Sequence, residues 1–79
     1  MSNPKPVKHS ITLRLKIPRL ADLVMRENHL NFRDALRFIY NSAVYTDLAD
    51  EETKVWHYSE LMLYDLLIQE KTTGRVEYP

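Results

Sequence analysis

One glycine, Gly74, in 79 residues is the tightest constraint this sequence carries. Glycine supplies the left-handed turns on which hairpin-rich folds depend, whereas a helix needs it only just beyond its C-terminus. A mainly helical fold is therefore favoured. Length adds a second restriction, because a chain this short buries only roughly 60–65% of the surface its unfolded form exposes, close to the minimum for a core that must hold by itself. With no cysteine, neither disulfides nor thiolate metal sites can supplement that core. Burial against a second chain, whether another copy or a different protein, is the expected supplement, so a homo-oligomer is anticipated.

Lysine plus arginine and aspartate plus glutamate each number 11, which excludes a uniformly basic nucleic-acid coat. The neutrality is a cancellation. Lys5, Lys8, Arg14, Lys16 and Arg19 stand in residues 1–21 without an acid, giving +5, and the remaining six bases against 11 acids give −5. Such segregation suits electrostatic complementarity between surfaces or a basic arm for a polyanion. The longest uninterrupted apolar run, Leu61-Met62-Leu63-Tyr64, is far below the roughly 20 residues that span a bilayer. A soluble, cytoplasmic setting without membrane attachment is the expectation.

Residues 1–10, with Pro4 and Pro6, read as a flexible basic arm ahead of a single small domain over 11–79. Ile11, Leu13, Leu15 and Ile17 alternate with Thr12, Arg14 and Lys16, the period-two pattern of a half-buried strand. Pro18 then suits the first position of a helix running to about Asn28, with Leu20, Leu23 and Val24 on one face. Asn31 caps the next helix with Asp34 at its third position. Phe32, Ala35, Leu36, Ile39 and Ala43 follow at helical spacing, and Phe38 and Tyr40 widen the apolar surface to two sides. Residues 42–48 either continue this helix or restart after Ser42. Beyond an acidic turn, Ser59 caps a third helix whose apolar residues from Leu61 to Ile68 encircle the axis, interrupted only by Asp65. Lys71 and Gly74 mark its end. Val76 and Tyr78 alternate with Arg75 and Glu77, so the tail is either a short strand beside 11–17 or extended chain. The fold class expected is a small, mainly α, three-helix domain with a short N-terminal β-strand.

Chemistry is sparse. His57 beside Asp50, Glu51 and Glu52 is the nearest approach to an acid–base pair, and His9, His29 and His57 show no ligand spacing of the kind two histidines four apart on a helix provide. A phosphate-cradling loop cannot be built from one glycine, and Asp50-Glu51-Glu52 lacks the oxygen periodicity of an EF-hand. No enzyme, catalytic residue, metal or cofactor is expected. Trp56 and Tyr58 read either as an aromatic contact for a partner or as core anchors.

A strand at Ile11 to Ile17, a helix from Pro18, a turn near Asn28 and a capped helix from Asn31 resemble the ribbon-helix-helix repressors, which dimerise through their strands and read the major groove. That resemblance implies DNA binding, with Thr12, Arg14 and Lys16 touching base edges. A second resemblance spans residues 17–79. Ile17-Pro18-Arg19, Ala35-Leu36-Arg37, Tyr40-Asn41-Ser42-Ala43-Val44-Tyr45, the run from Asp50 to Ser59, Thr73-Gly74 and Tyr78-Pro79 are similar to a set of short uncharacterised bacterial helical proteins, a domain of unknown function. Some of these are encoded beside toxin-like genes, including ADP-ribosyltransferase-like ones. This implies a non-enzymatic interaction module, an antitoxin-like or regulatory partner that masks a toxin-type protein. The surplus apolar faces of the second and third helices then make Phe38, Tyr40, Leu63, Tyr64 and Leu67 the expected contacts, with Arg33 and Arg37 at the rim.

Overall fold

A computed structural model describes the backbone of residues 7–79 and the side chains of residues 11–79. Four helices follow one another: α1 (Val7–Asn28), α2 (Phe32–Tyr40), α3 (Ala43–Ala49) and α4 (Glu60–Thr73), with two 3-10 turns, Glu51–Thr53 and Val55–His57, between α3 and α4. The expected flexible arm lies outside the described residues for positions 1–6, while residues 7–10 form the start of α1.

The expected strand is corrected. Residues 11–17 are helical, there is no strand among the described residues, and Pro18 sits inside α1 instead of opening it. Leu13 and Ile17 belong to both periods. Read onward at steps of three and four they continue into Leu20, Ala21 and Val24, the buried stripe by which α1 meets the rest of the molecule. Ile11 and Leu15, which a strand would turn inward with them, fall on the far side of the helix and are 47% and 54% exposed. Continuing through Pro18 forfeits the backbone hydrogen bond to the Arg14 carbonyl, a defect that costs about 3 kcal/mol in a helix interior. The burial of α1 through Ile17, Leu20, Ala21 and Val24 offsets it.

Local chemistry sets the other boundaries. His29 adopts a left-handed conformation (φ 56°) and the Leu30 amide donates to the Met25 carbonyl at 3.1 Å, which closes α1 with a Schellman-type turn. Asn31 caps α2 by accepting from the Asp34 amide at 2.8 Å. Ser42 ends the ambiguity over residues 42–48: its hydroxyl donates to the Ile39 carbonyl at 2.6 Å and accepts from the Tyr45 amide at 3.0 Å, so one helix stops and a new one starts there. Ser59 caps α4 through the Met62 amide, and Gly74, at φ 86°, ends it.

The core gathers Ile17, Leu20, Ala21 and Val24 from α1, Ala35 and Ile39 from α2, Val44 and Leu48 from α3, Val55 from the second turn, and Leu63, Leu66 and Leu67 from α4. The apolar ring of α4 is covered within the chain. Leu63, Leu66 and Leu67 are buried, Met62, Tyr64 and Ile68 half-buried, and Leu61 alone of the run is exposed. The tail after Gly74 is neither helix nor strand. It is held by the Glu77 amide donating to the Gln69 side chain at 2.7 Å, by Tyr78 stacking on Tyr58 with centroids 6.2 Å apart, and by the Tyr78 hydroxyl donating to Asp47.

Candidate functional site

The acidic turn and the aromatic group behind it are tied together by internal contacts. Asp50 accepts from the Glu52 amide, the Trp56 indole donates to the Glu51 carbonyl at 3.0 Å, and His57 stacks on Trp56 at 4.4 Å between centroids. His57 is exposed and lines none of the three grooves described below. Among the described residues no three histidines or carboxylates come together in a way that could hold a metal ion.

The functional interest lies in α2, whose nine residues are apolar on two flanks. Ala35 and Ile39 point into the core, and the chain exposes a different groove on each side of them. Toward α4, Leu30, Phe38 and Leu67 floor a groove of about 500 Å³, rimmed by Asp34, Arg37, Asn41, Glu70 and Lys71. The Lys71 ammonium lies 5.9 Å from the centre of the Phe38 ring, within cation–π reach. Glu70 is already committed: its carboxylate accepts from the Ala43 amide at 2.8 and 3.1 Å and from the Val44 amide at 3.3 Å, capping the short helix α3 from another element. That leaves Asp34, Arg37 and Lys71 as the charges this groove presents.

Toward α1, a groove of about 310 Å³ runs between Leu13, Arg14, Ile17 and Pro18 on one side and Phe32, Leu36, Tyr40 and Tyr45 on the other. Phe32, Leu36 and Tyr40 are spaced by four, one stripe of α2, and Tyr40 meets Tyr45 edge to face at 4.8 Å. A third groove, between α1 and the start of α4, is walled by Arg19, Asp22, Arg26 and Glu60 with Leu61 beside them. Its charges pair, Asp22 with Arg26 at 3.0 Å and Arg19 with Glu60 at 3.6 Å.

The residues expected to contact a partner are thereby dispersed. Leu63 and Leu67 are core residues, 0% and 1% exposed, and their assignment as surface contacts is corrected: α1 and α3 cover the flanks of α4 that a period of 3.6 alone leaves bare. Only the edge of Leu67 reaches a groove floor. Tyr64 is half-buried, its hydroxyl accepting from the Asn28 amide group at 3.3 Å. Phe38 and Tyr40 do reach surface grooves, but on opposite flanks of α2.

The expected DNA-reading set also separates. On a helix Thr12 and Lys16, four residues apart, share one face while Arg14 points away from it, and the Lys16 ammonium donates to the Tyr58 carbonyl at 2.9 Å, packing against the body. Without a strand at 11–17 the ribbon of a ribbon-helix-helix repressor is missing, and that resemblance no longer applies. What the sequence reading missed is the exposure of Ile11, Leu15 and Phe32. Helical spacing carried through Pro18 was the available signal for the first two.

Among the described residues no helix is long and apolar enough to cross a membrane. The chain matches no protein-family model, no curated protein and no solved structure.

Proposed function

We propose that this chain is a non-enzymatic bacterial protein-interaction module, an antitoxin-like partner that acts by binding and masking a toxin-type protein. The observation that carries the reading is the groove between α2 and α4. Its floor of Leu30, Phe38 and Leu67 accepts an apolar side chain, and Asp34 and Arg37 from α2 with Lys71 from α4 select the charges around it. Desolvated apolar anchors give affinity at such sites, and rim charges give rate and specificity. The toxin-type identity of the partner is supported by the sequence resemblance over residues 17–79, and a cytoplasmic setting by the absence of cysteine.

The test is affinity capture from the native host with the tagged full chain as bait, comparing the wild type with Arg37→Glu, an exposed change, and Phe38→Ala. A toxin-type protein recovered in stoichiometric amount by the wild type and lost with both variants is the expected result. No stoichiometric partner, or recovery indifferent to both substitutions, rejects the reading.

A further inference from the structure

The opposite flank of α2 has a separate use. Ile11, Leu15 and Pro18, spaced by four and three, form an exposed apolar ridge on the outer side of α1. Arg14 and Pro18 join this ridge directly to the groove walled by Phe32, Leu36, Tyr40 and Tyr45. Ile11, Leu15, Phe32 and Tyr40 account for four of the five large apolar side chains that are exposed among the described residues, each at about half of its surface. We propose that this face is the interface between two copies of the chain, related by a two-fold axis.

Three observations select a second copy as the occupant. A convex ridge beside a concave groove on one face is self-complementary, since a two-fold rotation brings each ridge over the other copy's groove, the requirement for a closed isologous contact. The area agrees: half of four side chains of roughly 200 Å² leaves about 400 Å² of apolar surface. One side of a standard interface covers about 800 Å², somewhat over half of it apolar. Charge agrees as well. Of the eight residues lining the groove only Arg14 is ionised, so a highly charged partner surface has nothing to pair with there, whereas the chain's own ridge is uncharged. The Arg14 side chain is exposed at the groove edge and keeps its hydration.

Sedimentation of the full chain over a concentration series, with helix content followed by circular dichroism, tests the proposal. The wild type is expected to dimerise reversibly. Leu15→Glu and Phe32→Glu, both at exposed helical positions, are expected to keep the helix content and weaken dimerisation at least about tenfold by placing a carboxylate in an apolar contact. Thr72→Glu, at the far end of α4, should dimerise as the wild type does. Arg37→Glu, on the other flank of α2, should also leave the dimer intact, so loss of the toxin-type partner and loss of self-association are read separately. A wild type that stays monomeric up to about 1 mM overturns the proposal. So does a dimer indifferent to both interface substitutions.

Discussion

Tyr78 donates its phenolic hydrogen to the carboxylate of Asp47, across 31 residues of sequence, while its ring stacks on Tyr58. Partial burial first, and the facing Asp47 second, push the Tyr78 phenol well above the ordinary tyrosine value. The folded state therefore holds this proton at pH values where the unfolded chain releases it. The contribution is intact below about pH 10 and is lost as pH rises beyond that. Tyrosinate absorbance should show one of the five tyrosines ionising only as the protein unfolds, and Tyr78→Phe should remove that late step while lowering stability at neutral pH by about 1 kcal/mol.

The Glu70 carboxylate serves α3 as a cap from outside, binding the amides of Ala43 and Val44 that the helix itself leaves unpaired. Glu70→Ala should cost about 1–2 kcal/mol in urea unfolding, the range of a lost cap assisted by charge at a helix N-terminus. Glu70→Gln, which retains one acceptor, should lose less than Glu70→Ala. Equal losses would mean that the side chain acts through packing and not as an acceptor.

Pro18 offers a direct check on α1. In a helix that continues through it, Pro18→Ala restores the bond to the Arg14 carbonyl and relieves the ring, so the thermal midpoint should rise, by up to about 3 kcal/mol in stability. At the first position of a helix preceded by a strand, the same change would leave the midpoint unmoved or lower it.

Leu63 and Leu61 lie two residues apart in α4 and differ completely in exposure, 0% against 66%. Leu63→Ala should destabilise by about 2–5 kcal/mol by opening a cavity. Leu61→Ala should stay within about 0.5 kcal/mol. Chemical denaturation of the two variants side by side distinguishes a core leucine from a surface one.

Elements whose boundaries are set by near neighbours were legible in the sequence. Asn31 and Ser59 cap amides three residues away, Gly74 ends α4, and the break at Asn28-His29 falls where the left-handed residue sits. Features set from a distance were not legible. The second cap on α3 comes from a carboxylate 27 residues beyond Ala43, and whether the apolar ring of α4 is spare depends on where α1, α3 and the tail come to lie. The segment 11–17 misled because seven alternating residues satisfy a strand and, through Leu13 and Ile17, also begin a helical stripe. Two-sided apolarity of α2 was visible in Phe38 and Tyr40, while the assignment of Leu63 and Leu67 to the surface assumed an exposed α4.

The cap on α3 also has a history in time. Ala43 leaves the ribosome 27 residues ahead of Glu70, which at ~5–20 residues per second is about one to five seconds. A seven-residue helix is far shorter than the ~12–15 residues at which an isolated helix becomes even marginal in water. Throughout that interval the segment is too short to hold a helix by itself, and its second cap is complete only once Glu70 has been made.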